Sequence, residues 1–296
     1  RYEDKRILDH SSSEISTEDA AVLMETLMQE MRRGGYEFYT GTSYRHLLIH
    51  KFGSVVELTA PHDILTKRIG EYLPQDAVLR EMMETSYRIL SNHPLNLERK
   101  AKGLNPANSV WFWGAGTRPM LTSFEEKYHK KGAMISAVDL LKGIAVGAGL
   151  DNIIVEGANG GLHTNYTGKA EAAVDALAAQ DYDFVYVHIE APDEMGHQGS
   201  IPDKIKAIEN IDQKIIGPIV GELEDLCMDF RTLVLPDHPT PICVRTHTGN
   251  PVPYLLYDSR KKAEGMPEYS ERLGNKSPLF EKEGHRLLSR LFEMDN

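Results

Sequence analysis

The amino-acid sequence predicts an α/β protein: a parallel sheet with helices on both faces, preceded by a smaller α+β unit. Two observations carry this. From about residue 130 the chain alternates helix-like and strand-like runs, AMISAVDLLKGIAVGAG, NIIVEGA, GKAEAAVDALAA, DFVYVHIEA, PDKIKAIENIDQKIIGPIVGEL and FRTLVLPDH, the pattern of a parallel sheet covered by its connecting helices. Upstream, one amphipathic helix is followed by several short β-rich runs separated by glycines, the pattern of an α+β unit. The division falls near residue 130, giving segments 1–130 and 131–296.

Residues 16–33, STEDAAVLMETLMQEMRR, form the first helix: Ser16 is its N-cap, Leu23, Leu27 and Met31 recur every four residues, and Gly34 and Gly35 stop it. Met24 and Met28 face the core with Met31. YEFYT, YRHLLIH and VVELT read as the strands of an antiparallel meander. PQDAVLREMMETSYRILS, residues 74–91, is helical again, NHPLNLERKAKGLNPANS is polar and irregular, and VWFWGAG is a strand along which Trp111 and Trp113 alternate. After the alternating region, residues 261–275 read as a charged surface loop and residues 276–293 close in a helix.

Composition excludes several function classes. With 41% hydrophobic and 26% charged residues the chain is an ordinary globular protein, and no apolar run has the ~18 residues of a membrane span. The 33 basic and 44 acidic residues leave a net charge of −11. Apart from Arg99, Lys100 and Lys102 no dense basic cluster exists to meet a phosphate backbone, so nucleic acid is not an expected partner. Two cysteines, Cys227 and Cys243, suit a reduced thiol pair and a cytoplasmic setting. The opening RYEDKRILDH has no initiator Met and no apolar leader, so the expectation is a fragment without a secretory signal.

In open α/β sheets ligands bind beyond the carboxyl ends of the strands. Two such ends are rich in candidate ligands: FVYVHIEAPDEMGHQG and RTLVLPDHPTPICVRTHTGNPVP. Asp193 and His197 stand four residues apart, within reach of one ion from one face of a helical turn; taken alone, Asp193 could equally be a helix cap and His197 a solvated loop residue. Asp237 and His238 follow LVLP directly, and His247 comes nine residues later. Neighbours on an extended backbone point opposite ways, so Asp237 and His238 share an ion only if Pro236 and Pro239 turn the chain. Together the five are a carboxylate and imidazole set suited to zinc- or manganese-type ions. His188, inside the strand run, reads as a hydrogen-bonded core residue, and GANGGL as a turn because it lacks a GK[ST] ending.

APDEMGH together with LPDHPTP and RTHTGNPVP resembles the alkaline phosphatase superfamily and, within it, the archaeal-type 2,3-bisphosphoglycerate-independent phosphoglycerate mutases. LSNHPLNLERKAKGLNPANSVWFWGAGTRP is similar to that subfamily's linking region. The resemblance spans essentially the whole chain. It implies an alkaline-phosphatase-like sheet, here incomplete, with an inserted substrate domain, and two divalent ions, manganese or zinc, with magnesium or cobalt as alternatives. Asp193, His197 and His247 would hold one ion, and Asp237 and His238 the other.

In the family the second ion is also held by an Asp at an early DG strand end and by a nucleophilic Ser, both in an N-terminal segment; the resemblance begins at the inserted domain. The implied reaction moves phosphate between the 3- and 2-positions of glycerate through phosphoserine. Lys142 is the first candidate to neutralise the phosphate and Lys169 the second; Arg6, Arg45 and Arg118, helped by His10, His46 and His62, would grip the substrate. Residues 1–130 would thus bind substrate and 131–296 the metals. The chain alone is expected to be inactive, and a homo-oligomer remains open. A homoserine-kinase-like phosphotransferase or a metal-dependent phosphatase is the alternative, although no ATP-binding glycine loop is present; a non-catalytic binding fragment is the second alternative.

Overall fold

A computed structural model describes residues 1–261 and 265–293 of the chain. It divides into two compact units, Arg1–Arg118 and Pro119–Asn296. The division lies upstream of residue 130 because Phe124, ahead of that position, packs with Phe184 and Leu291 in the core of the second unit.

In the first unit, helix α1 (Thr17–Glu30) starts where the Ser16 side chain accepts a hydrogen bond from Asp19 N and buries Ala20, Leu23, Met24 and Leu27. Strands β1 (Tyr36–Tyr39) and β2 (Leu47–His50) form an antiparallel hairpin, Tyr36 opposite His50. Helix α2 (Ala77–Leu90) is capped by Asp76, which accepts from Val78 N and Leu79 N, and it joins α1 in one apolar core. The third expected strand, VVELT, does not form: Val56 and Leu58 pack on that core from an unpaired extended segment. VWFWGAG is also unpaired; Trp111 instead donates its indole N–H to Thr59 O at 2.8 Å. Conversely, the stretch expected to be irregular contains helix α3 (Pro94–Ala101), with Pro94 in its first turn, where proline's missing N–H costs nothing.

The second unit opens with α4 (Phe124–Tyr128) and strand β3 (Gly132–Ile135), buried along its whole length. Helix α5 (Asp139–Ala148) leads to β4 (Asp151–Asn152), helix α6 (Tyr166–Ala179) to β5 (Phe184–Val187). These strands make the parallel sheet in the order β4-β3-β5, so the βαβ reading of this region is what the chain adopts; of NIIVEGA only Asn152 lies in a ladder. Beyond β5 come α7 (Ala191–Gln198), α8 (Ile201–Ile211), a π-helical turn at Asp212–Ile216 and α9 (Gly217–Asp225).

The run RTLV forms β6 (Arg231–Val234), but it pairs antiparallel with β7 (Leu255–Asp258), apart from the parallel sheet. The expectation that both ligand-bearing strands share one ladder is corrected here. Buried Asp258 holds the alternative pairing: Arg231 Nε lies 3.0 Å from its carboxylate across the β6–β7 register. Helices α10 (Glu271–Gly274) and α11 (Arg286–Glu293) complete the described chain. Residues 262–264, within the expected surface loop, lie outside the described residues. No helix among the described residues is long and apolar enough to cross a membrane.

Candidate metal centre

Helix α7 follows β5 after the short link His188, Ile189 and Glu190, with Pro192 in its first turn beside Asp193 and Glu194, an arrangement favoured by proline's fixed φ and by the helix dipole. Its helical spacing puts Asp193 and His197 on one face, Asp193 Oδ2 lying 3.3 Å from His197 Nε2. The segment after β6 supplies the facing wall. Pro239 O accepts from Thr248 N at 3.1 Å, and Arg245 N donates to Pro241 O at 2.8 Å, a folded loop that brings His247 back beside His238, their ring centroids 3.8 Å apart. His247 Nε2 stands 3.3 Å from Asp193 Oδ1 and 3.2 Å from His197 Nε2.

Among the described residues, Asp193, His238 and His247 form the group whose ligand atoms all lie within 4.8 Å of one another. His197 touches two of its members. Asp237 lies to one side, its Oδ2 3.3 Å from His238 Nε2 and its Oδ1 accepting the His238 backbone N–H. The turn expected at the two prolines is therefore present, and the side chains of Asp237 and His238 meet.

The hydrogen bonding of His197 favours the tautomer a cation requires. His197 Nδ1 is 2.9 Å from Arg245 O; a carbonyl only accepts, so Nδ1 carries the proton and a neutral ring leaves Nε2 as a bare lone pair. That lone pair points at another imidazole nitrogen and at a carboxylate. Electron-rich atoms facing one another at these distances are mutually stabilised by a proton or a metal ion between them, and this donor set fits a divalent ion of the zinc or manganese type.

The two candidate lysines differ sharply. Lys142 lies on α5 beside Asp139, 3.4 Å away. Lys169, on α6, is only 1% exposed and donates to His188 O at 3.0 Å. Burial pushes the Lys169 ammonium down from its ordinary range, with Glu190 opposing. His188 is in the same neighbourhood: burial lowers it, the carboxylates of Asp237 and Asp193 pull it back up, and its Nδ1 is 3.3 Å from Ser136 Oγ. Lys169 thus sits within the electrostatic surroundings of the carboxylate and imidazole cluster.

In the first unit the expected substrate residues are only partly gathered. His10 lies edge-on to Tyr44 and His62, with ring centroids 5.5 and 6.0 Å apart, and His62 meets Trp113 at 5.5 Å. Arg45 lies over the Tyr44 ring. His46 is lowered by burial and its Nδ1 accepts from Gly41 N at 3.1 Å, which occupies it in a turn. Arg6 donates to Thr66 O, and Arg118 is exposed at the unit's end. Tyr44, Trp113, Ser136 and Thr240 were not singled out from sequence as site residues. The only available signal for Thr240 was its place in PDHPTP, two residues after His238.

A family model for the metalloenzyme superfamily matches residues 13–287. The curated 2,3-bisphosphoglycerate-independent phosphoglycerate mutase of Methanosarcina barkeri is 49% identical over 279 residues, covering 91% of this chain and 70% of that protein. The chain belongs to this mutase family. A solved Pyrococcus horikoshii protein superimposes with a TM-score of 0.70 at 28% identity, covering 92% of this chain and 67% of that one. The cofactor-independent phosphoglycerate mutase of Thermoplasma acidophilum shares the fold with a TM-score of 0.57 at 24% identity, over 99% of this chain and 74% of its own. The architecture is thus the alkaline-phosphatase-like α/β fold of the mutase family. Membership of the metalloenzyme superfamily implies divalent metal binding, and the Asp193, His238 and His247 group is a place on this chain that fits it.

Proposed function

We propose that this chain carries the metal-binding and substrate-binding parts of a phosphoglycerate mutase that needs no bisphosphoglycerate. It would act in the cytoplasm on a small phosphorylated substrate, without nucleic acid or membrane. The observation that carries the reading is the convergence of Asp193, His197 and His247 at 3.2 to 3.3 Å in a chain 49% identical to such a mutase. In the assignment we favour, Asp193, His197 and His247 hold one ion and Asp237 with His238 the other. When bound, the ions act as Lewis acids on the phosphoryl oxygens and lower the pKa of the attacking hydroxyl.

The chemistry assigned to the protein is a double displacement. A serine Oγ attacks the phosphorus of 3-phosphoglycerate, the bond to O3 breaks, and O3 takes a proton. The glycerate turns in place. Its 2-hydroxyl then attacks the phosphoserine and releases the serine as product forms. Ser11, Ser12 and Ser13 do not fit the nucleophile: they follow Asp9, which accepts from Ser11 N, Ser11 Oγ and Ser13 N in a tight turn of the first unit. We assign the serine to the part of the family's length that this chain does not span. Lys169 is favoured over Lys142 for charge neutralisation, since a buried ammonium acts in a lower dielectric than one paired at the surface. The first unit, Arg1–Arg118, takes the role of substrate domain, with His10, His62 and Arg45 as its recognition residues.

The test is phosphorus NMR of 3-phosphoglycerate with Mn2+ and no bisphosphoglycerate. The 296-residue chain is expected to bind Mn2+ without turnover, and conversion to 2-phosphoglycerate is expected once the unmatched part of the Methanosarcina relative is joined to it. ATP-dependent phosphorylation of homoserine by the joined protein would overturn the mutase reading.

A further inference from the structure

We infer that Thr240 is a positioning residue of the metal centre, its one hydroxyl fixing the tautomer of His238 and aiming the carboxylate of Asp193. The inference rests on the metal-centre reading above. Thr240 is 4% exposed. Its Oγ1 donates to Asp193 Oδ1 and lies 3.4 Å from His238 Nδ1. A hydroxyl has one hydrogen and two lone pairs. The hydrogen is spent on the carboxylate, which has none to give, so toward His238 the hydroxyl can only accept. Nδ1 of His238 is therefore the nitrogen that bears a proton, and in a neutral ring Nε2 is the one left bare.

That bare nitrogen faces Asp237 Oδ2 at 3.3 Å. A lone pair and a carboxylate brought together in this way define a cation slot, and the hydroxyl behind them keeps it so. The outer hydrogen-bond partners of metal-binding imidazoles and carboxylates orient them in this manner. Thr240 differs from an ordinary partner in serving two ligands at once, one on α7 and one on the loop after β6.

The threonine is itself held. Its carbonyl accepts from Lys204 Nζ at 2.6 Å, and α7 approaches so closely at Gly196 that a Cβ there would stand 2.6 Å from Thr240 O and 3.0 Å from its Cγ2. Prolines flank it on both sides, which limits the backbone's other options.

Thr240→Ser and Thr240→Ala differ by the hydroxyl alone, and Thr240→Val keeps the shape without it. Mn2+ titration by calorimetry, with the electron paramagnetic resonance spectrum of the bound ion, reads the effect on the full 296-residue chain. Thr240→Ser is expected to bind Mn2+ within a few-fold of the unaltered chain. Thr240→Ala and Thr240→Val are expected to bind it about 10- to 100-fold more weakly with an altered spectrum, while their metal-free melting stays close to that of the serine variant. Equal affinity of the serine and alanine variants overturns the role of Thr240 and leaves the metal centre standing. Absence of Mn2+ binding by the unaltered chain overturns the metal centre and the inference with it.

Discussion

His197 Nε2 faces His247 Nε2 at 3.2 Å, and the two oxygens of Asp193 lie 3.3 Å from these same nitrogens. The pinned Nδ1 of His197 leaves its Nε2 as an acceptor that a proton on His247 or a metal ion can satisfy, and an ion that gathers all these donors binds the folded chain in preference to the unfolded one. Mn2+ or Zn2+ at a hundredfold excess over its dissociation constant is expected to stabilise the chain by about 2.7 kcal/mol, read as a rise in melting temperature that a chelator reverses. Asp193→Asn is expected to remove most of that rise. A rise of the same size in Asp193→Asn would show that the ion sits elsewhere.

Lys169 and Lys142 offer a paired comparison. Lys142→Ala touches a surface contact with Asp139 and is expected to change stability by no more than about 0.5 kcal/mol. Lys169→Met removes a buried ammonium of similar length, so the metal-free fold should be retained or gain stability, since burial disfavours the charged form. Binding of 3-phosphoglycerate by the Mn2+-loaded chain is expected to weaken at least about tenfold in Lys169→Met and to be unchanged in Lys142→Ala. The opposite ranking in an isothermal titration would return the role to Lys142.

Asp9 gives a pH dependence with a defined sign. Partial burial opposes its ionisation, but hydrogen bonds from Asn105, Ser13 and Ser11 hold it down from 3.8 to about 2. A carboxylate depressed in the folded state stabilises it fully above the unfolded value and loses that contribution as pH falls toward the folded one. In urea unfolding the advantage of the parent chain over Asp9→Asn should therefore be full at pH 6 and reduced by roughly half at pH 3. A gap that stays constant over this range would show that the aspartate acts by shape rather than charge.

The sequence disclosed the α/β class and the nearness of Asp193 to His197 better than it disclosed the pairing of individual strands. Asp193 and His197 were legible because the four-residue spacing and the preceding apolar run both carry geometric meaning, and α7 supplies the helix that meaning required. The approach of His238 to His247 was legible only through family resemblance, since it depends on the fold of the loop at 239–247. Pairing partners were the hidden part. VVELT and VWFWGAG have strand composition, yet one is a packed extended segment and the other is tied to it by the Trp111 side chain. The β6–β7 ladder, in turn, depends on Asp258, whose local context YDSRK suggests pairing with Arg260 and Lys261 but carries no sign of the distant Arg231 opposite it. Lys169 has the same character: a lysine in an alanine-rich helix gives no periodic sign that it points inward.

Gly196 links the helix that carries Asp193 to the loop that carries His238. A Cβ at this position would meet Thr240 O at 2.6 Å and Lys204 Nζ at 2.9 Å; the lysine end can swing away, whereas the carbonyl is backbone and cannot yield without shifting the loop. Alanine is the better helix former, and at an unobstructed position Gly196→Ala would stabilise α7. Here the clash outweighs that gain of about 1 kcal/mol, because overpacking typically costs about 1 to 3 kcal/mol. Gly196→Ala is therefore expected to melt no higher than the parent and to lose Mn2+ affinity, as the two ligand-bearing segments are pushed apart. Gly221, also within a helix but with open space at its Cβ position, is the matched control: Gly221→Ala should raise the melting temperature and leave metal binding untouched. If Gly196→Ala proved as stabilising as Gly221→Ala with unchanged affinity for Mn2+, the close contact between α7 and Thr240 would not exist in solution.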